Sequence, residues 1–149
     1  MAPSTVTATL HRAAVLTVGL PRDQVLALFT PEGERRWVDG WDPQYPDPRR
    51  SEGPGAVFTT RHGGHETTWI IVDQRPDSIR YARIANGISA GTITVEVVGS
   101  EDAAAQVRVT HDLTALSAAG EIWLDAFAKR YANEIAAWGR EIDAALRRP

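Results

Sequence analysis

The side chains best able to do chemistry in this sequence are three histidines and one arginine: His62, His65, His111 and Arg83. His62 and His65 flank Gly63-Gly64, a strong two-residue hairpin signal. Counting outward from that turn sets a register. His62 faces His65, Arg61 faces Glu66, Thr60 faces Thr67, Thr59 faces Thr68 and Phe58 faces Trp69. Side chains alternate faces along a strand, so His62, His65, Thr60, Thr67, Phe58 and Trp69 share one face. That face is read as the inner one because it holds the large aromatics. Arg61 and Glu66, an opposite-charge pair suited to solvent, take the other. Two histidines need at least a third ligand to hold a metal. Glu66 projects to the wrong face, so the pair is read as the polar rim of a pocket and no metal is expected.

His111 shares a strand face with Val107, Val109 and Leu113, which directs it inward. An apolar pocket disfavours its charged form and leaves a neutral imidazole able to accept a proton. It is therefore a candidate general base, or else a core histidine bonded to a tyrosine or the backbone. Along Ile79, Tyr81 and Arg83, the same alternation turns Tyr81 inward and brings Arg83 to the inner face near the strand's end. Arg83 would stabilise a carboxylate or an enolate, or else lie on the surface at the strand's end. His111 and Arg83 are the catalytic candidates. Ser117 reads as a helix cap, and no Ser-His-Asp triad is indicated.

Composition narrows the chemistry further. The 149 residues include no cysteine, which excludes disulfides, zinc–thiolate sites and thiol nucleophiles. Net charge is −3, so no basic field draws the chain to nucleic acid or anionic lipid. Lys129 is its one lysine beside fifteen arginines, so Schiff-base chemistry would have to use that residue. The longest apolar run near the start, Ala13 to Leu20, is too short to span a bilayer. No targeting signal is evident, and the expectation is a cytoplasmic protein without stable membrane insertion. Five of the eleven aromatics are tryptophan, which suggests either a thick core or a lined cavity.

The elements that must position these residues follow from periodicity. Alternation from Thr5 predicts a long first strand to Val18, with a bulge near Ala13–Ala14. Pro21 is read as the first residue of a short helix. Thr30-Pro31 reads as the cap and first position of a second, running through Trp37. Residues 38–55, rich in proline and glycine, form a long loop that also carries Trp41 and Tyr45. Strands are expected over 56–62, 65–73, 79–85, 92–98 and 107–114. Asn86-Gly87 would oppose Arg80 to Ile93 if it were a tight turn, so a longer loop reaching Gly91 is preferred. Gly99 to Asp102 should separate the last two strands. From Ser117 a long helix carries the stripe Trp123, Phe127, Tyr131, Ile135, Trp138, Ile142 and Leu146. At about 1.5 Å per residue it measures roughly 43 Å. A domain of this size is about 38 Å across, so one face of the helix should lie along the sheet from end to end. Trp123 and Trp138 are read as core packing. Phe127 and Tyr131 join the cavity wall, while Trp37 and Trp41 sit at its mouth.

This order, with its local phrasing, resembles the Bet v 1-like, START-like (SRPBCC) superfamily and its bacterial polyketide cyclase/dehydrase-like branch. The resemblance rests on Pro21-Arg22-Asp23-Gln24-Val25, Arg36-Trp37, Pro54-Gly55-Ala56-Val57-Phe58, Thr68-Trp69-Ile70-Ile71-Val72 and Asp112-Leu113-Thr114-Ala115-Leu116-Ser117, and it covers nearly the whole chain. It implies an α+β helix-grip fold. In that fold a curved antiparallel sheet of about six strands wraps a long C-terminal helix, and two short helices follow the first strand. It implies one ligand-binding domain over residues 1–149, with a cavity between sheet and helix and loops at its mouth. Members carry lipids, hormones or hydrophobic metabolites, cyclise polyketides, or bind partner proteins. No catalytic motif is shared by all of them, so none is carried over.

The expected function is binding of a hydrophobic or aromatic small molecule. The ligand-binding set is Trp37, Trp41, Phe58, Thr60, His62, His65, Thr67, Trp69, Tyr81, Phe127 and Tyr131. Cofactor-independent cyclase or aromatase activity on a polyketide-like substrate is a further expectation within that reading, with His111 and Arg83 handling enolisation. No cofactor is implied, and the chain is expected to be a monomer or homodimer. The alternative is a non-catalytic protein-interaction module of the coenzyme-Q-carrier or chaperone-activator type.

Overall fold

In the computed structural model, which describes residues 8–149, the chain starts with strand β1, Thr9–Val18. Residues 5–7, expected to open that strand, lie outside the described residues. β1 pairs in unbroken register with the last strand, from Thr9 opposite Thr114 to Val18 opposite Ala105. The bulge expected at Ala13–Ala14 does not form. β1 is an edge strand, so its small residues reach solvent without breaking the alternation.

Helix α1, Arg22–Val25, runs into a 3₁₀ turn, Leu26–Phe29, and then helix α2, Pro31–Glu34. Pro21 precedes α1 with an extended ψ of 153°, so it takes the cap position rather than the first helical one. Thr30 caps α2 as its sequence implies, its hydroxyl accepting from the Gly33 N–H at 3.0 Å. A Cβ on Gly33 would lie 1.7 Å from the Ala27 carbonyl oxygen, so this tight crossing needs glycine. α2 ends three residues short of Trp37. There the chain turns inward, and the Trp37 indole donates to the Leu28 carbonyl at 2.7 Å.

The remaining strands are β2 (Val57–His62), β3 (His65–Arg75), β4 (Ser78–Ala85), β5 (Ser89–Glu101) and β6 (Ala104–Ala115). They form one six-stranded antiparallel sheet in the order β1-β6-β5-β4-β3-β2. The Gly63-Gly64 register is as counted, with His62 opposite His65 and Phe58 opposite Trp69. The β4–β5 turn is neither a two-residue loop at Asn86-Gly87 nor a longer one reaching Gly91. Ala85 opposes Ser89 across a three-residue loop whose Gly87 has φ +74°. That extra residue puts Tyr81 opposite Ile93. Gly91 is therefore inside β5, where a Cβ would meet the Asp112 carbonyl oxygen at 1.9 Å. It serves a close approach of β6, not a loop. The break expected at Gly99–Asp102 is instead a register shift between Val97 and Gly99 with β5 continuing to Glu101.

Helix α3, Ala118–Arg147, is about 45 Å long. Ser117 caps it, accepting from the Gly120 N–H at 3.0 Å. Its buried residues Leu124, Phe127, Tyr131, Ile135 and Ile142 make the core with the inner face of the sheet. It packs mainly on β1 and β6. The sheet is thus not covered evenly: its β2–β4 side faces the short helices and the 38–55 loop. That loop is tied down by a Gln44–Thr59 bridge, a Trp41 indole bond to the Pro31 carbonyl at 2.8 Å, and a Tyr45 hydroxyl bond to Glu32 at 2.5 Å. Among the described residues, no helix is long and apolar enough to cross a membrane.

Candidate functional site

The uneven cover leaves a cavity of about 370 Å³ between α3, α2 and the inner face of β3–β6. Cross-strand pairing sets its wall in rows. One row runs Trp69, Arg83, Gly91. The next runs Ile71, Tyr81, Ile93, His111. Each inward residue is two places from the next along its strand, so the rows sit roughly 7 Å apart.

Arg83 is half-buried between two indoles. Its guanidinium lies 5.5 Å from the Trp69 ring centre and 5.3 Å from that of Trp123. A cation–π contact of this kind suits the weakly hydrated guanidinium. One N–H donates to the Ser89 hydroxyl at 3.2 Å. No carboxylate pairs with it among the described residues. Burial lowers its pKa to about 10, so it stays charged at neutral pH. Opposite it, Gly91 adds no side chain to the row.

His111 is buried. Its Nδ1 lies 2.8 Å from the Tyr131 hydroxyl, which itself donates to the Val109 carbonyl at 3.0 Å. The hydroxyl has one proton and spends it on Val109. The hydrogen-bond pattern therefore assigns the proton of the ring to Nδ1, which donates to Tyr131, and leaves the Nε2 lone pair for the cavity. Burial first, and the Arg83 charge second, lower the His111 pKa to about 3. The imidazole is a neutral acceptor. A base this weak is better fitted to receive a hydrogen bond from a hydroxyl than to remove a proton by itself.

Tyr81 is buried, and its hydroxyl donates to the Phe29 carbonyl at 2.6 Å. This bond ties the 3₁₀ turn to β4. Glu34, the last residue of α2, lines the same cavity. Its carboxyl has no hydrogen bond or ion pair among the described residues, and burial holds its pKa well above the ordinary range. α3 contributes Trp123, Phe127, Arg130, Glu134 and Trp138.

Of the sequence-read residues, the cavity brings together Trp41, His62, Trp69, Tyr81, Arg83, His111 and Phe127. The others stand elsewhere. Trp37 is buried in the core, 5.7 Å from the rings of Phe29 and Trp138, and is not at the mouth. Phe58 is fully buried and stacks parallel on Trp69 at 5.9 Å, supporting the wall from behind. Thr60 accepts from the Trp69 indole at 3.0 Å and so orients it. Tyr131 reaches the cavity only through His111. Thr67 and His65 lie toward the hairpin tip and do not line it. Trp123 and Trp138, read as core, are half-buried cavity walls, because the helix leans over β1 and β6 and turns this side toward the gap.

Glu34, Glu134 and Arg130 were not among the sequence candidates. The one available signal for Glu34 was spacing. It lies four residues after the Thr30 cap and three before Trp37, on the side of α2 from which the chain enters the core.

No family model and no curated protein matches the sequence. The architecture is the helix-grip fold of Bet v 1-like, START-like proteins. Norcoclaurine synthase from Thalictrum flavum, in truncated form, superposes with a TM-score of 0.67 at 11% identity, over 99% of each chain. The Zhui aromatase/cyclase from a Streptomyces species gives 0.63 at 18% identity, over 95% of this chain and 96% of that one. The Aha1 dimer from Colwellia psychrerythraea gives 0.60 at 13%, over 86% of this chain and 92% of that one. At these identities the likeness is one of fold.

Proposed function

We propose that this chain binds a flat hydrophobic small molecule bearing an anionic group, and that Arg83 is the anion's partner. The observation that carries this is a charged guanidinium, clamped between Trp69 and Trp123 inside a cavity, with no carboxylate of its own. Leaving a buried charge unpaired is costly, and a ligand carboxylate or enolate would relieve that cost. The volume of about 370 Å³ falls at the small end of ligand pockets. The aromatic walls supply the apolar contact. The Nε2 of His111 supplies one fixed acceptor for a ligand hydroxyl.

A matched pair of probes tests this by titration calorimetry: 2-naphthoate and the neutral 2-methylnaphthalene. Naphthoate is expected to bind more tightly. A charge-assisted hydrogen bond contributes about 1.5–3 kcal/mol, so Arg83→Met should weaken naphthoate on the order of 10- to 100-fold. It should leave the neutral probe nearly unchanged. Equal binding of naphthoate to wild type and variant would refute the role of Arg83, and no binding of either probe would refute the cavity reading.

A catalytic reading, cyclase or aromatase action on a polyketide-like chain, draws support from Arg83 and His111 facing one cavity. Arg83 would stabilise enolate charge while Nε2 accepts the enol's hydrogen bond. The protein-interaction alternative has less support. The large exposed apolar residues, Val15, Val57, Val72, Val98, Leu116 and Ile122, are spread over several elements, and the interior is open.

A further inference from the structure

The cavity holds a guanidinium and a carboxyl group that do not meet. Arg83 sits with Trp69 and Trp123. Glu34 approaches from α2, where Phe29, Val38, Trp41 and Trp138 also line the space. No ion pair joins the two. Glu134 lines the cavity from α3, half-buried and without an ion pair among the described residues. It is one helical turn from Trp138, whose ring packs against Trp37, and Trp37 follows Glu34 by three residues. Glu34 and Glu134 line the cavity together with the indoles of Trp41 and Trp138, and the guanidinium lies near the β4–β5 hairpin.

A carboxylate in a tryptophan-lined cavity is the chemistry that recognises a protonated amine. The carboxylate takes the N–H donors, and the ring quadrupoles attract the remaining charge. A second anion there would meet only repulsion. A purely apolar group would leave Glu34 unpartnered in a desolvated place.

We propose that the ligand is amphoteric: an aromatic body carrying, besides the anionic group on Arg83, a protonated amine that pairs with Glu34. This rests on the reading of the cavity as a ligand site and adds the second polar end. Glu34 is then a specificity-determining residue, selecting amine-bearing ligands over otherwise identical neutral ones. Tyr81 is not free to serve instead, because its hydroxyl proton is committed to Phe29.

The test extends the naphthalene series to 2-naphthylmethylamine and 6-(aminomethyl)-2-naphthoate, which carries its amine and carboxylate at opposite ends of the ring, with calorimetric titration of wild type and Glu34→Gln. The amine is expected to bind wild type at least ~10-fold more tightly than 2-methylnaphthalene, and Glu34→Gln to lose that advantage. The aminomethyl naphthoate should bind at least as tightly as the amine, because its far end also reaches Arg83. Naphthoate affinity should stay within about 2-fold in Glu34→Gln, which shows that the variant is folded with its cavity intact.

A second readout is pH. Other titratable or charged groups facing this space are Tyr81 and Arg83 from β4, His111 from β6, His62 from β2, and Arg130 and Glu134 from α3. Burial raises the Glu34 carboxyl well above the ordinary carboxylate range. Amine affinity should therefore fall in wild type as falling pH protonates this carboxyl, and stay flat in Glu34→Gln. The proposal is overturned if the amine binds no tighter than the neutral probe, if Glu34→Gln binds it equally well, or if the pH dependence survives in that variant. Naphthoate binding without amine binding would sink this inference alone. Failure of naphthoate as well would sink the ligand site on which it rests.

Discussion

Protonating His111 should unfold this protein from within, and the size of the effect follows from its surroundings. The ring is 4% exposed, edge-on to Phe127 and Tyr131 at 5.3 Å, and its one N–H is spent on Tyr131. A second N–H on Nε2 would place a cation in the same cavity as the Arg83 charge. The pKa is lowered from 6.5 to about 3. A depressed histidine binds fewer protons folded than unfolded. Its contribution to stability is therefore complete above about pH 6.5 and is lost as pH falls toward 3. At 1.36 kcal/mol per unit this amounts to something on the order of 4–5 kcal/mol, with a slope near 1.4 kcal/mol per pH unit inside the window. That is a large part of a typical domain's ~5–15 kcal/mol.

The assay is urea unfolding at closely spaced pH values, for wild type and His111→Gln. The difference between the two curves removes the groups they share. One of these, Glu34, works in the opposite sense: its raised carboxyl favours the folded state at low pH, and that stability is lost as pH rises. Nitrogen-detected NMR of the imidazole supplies an independent check, with the Nδ1-protonated tautomer expected throughout the neutral range. A pH-independent difference between the two curves would refute the reasoning. So would a His111 ring that titrates near 6.5 or carries its proton on Nε2.

Two further outcomes concern the frame around the cavity. Gly91→Ala places a methyl 1.9 Å from the Asp112 carbonyl oxygen, a backbone atom that cannot swing away. Overpacking of this kind costs about 1–3 kcal/mol, so thermal unfolding should show a lower midpoint and naphthoate should bind more weakly; an unchanged midpoint would mean that β6 is not held that close. Ser117→Ala removes the cap on the Gly120 N–H and should cost about 1 kcal/mol in chemical denaturation, with Ser117→Asp recovering most of it. No loss in the alanine variant would contradict the capping role.

What was legible in the sequence was local. The register of β2 and β3 follows from Gly63-Gly64 alone, because a two-residue turn leaves only one way to pair the flanks. Thr30-Pro31 and Ser117 declare helix starts through the bonds their side chains make. Hydrophobic matching alone points to the wrong β4–β5 loop. Gly87 at positive φ permits a three-residue turn, and the presence of Gly91 inside β5 reflects contact with β6, a strand about twenty residues away. The roles of the tryptophans were hidden for a similar reason. Whether Trp37 or Trp138 borders the cavity depends on where α3 leans across the sheet, and no local pattern records that. Glu34 escaped notice because an isolated glutamate on a one-turn helix looks like a solvated one. Only the fold shows that Glu32 takes the exposed partners, Arg35 and Tyr45, and leaves Glu34 facing inward.

That division of labour bears on what the cavity is for. A chain selected for stability alone would pair Arg83 with Glu34, or replace both by apolar residues that fill the space. Here each charge is held in place by commitments that keep it from the other. Arg83 lies over the rings of two indoles and is bonded to Ser89. Glu34 is fixed by a capped helix that Tyr81 anchors through Phe29. The surrounding network is otherwise well satisfied: among the described residues, no buried side-chain nitrogen or oxygen lacks a partner. Arg83 and Glu34 both line one cavity without an ion pair between them, and departures from local pairing of this kind tend to mark a site. Their separation leaves both open to a ligand that carries the matching pair.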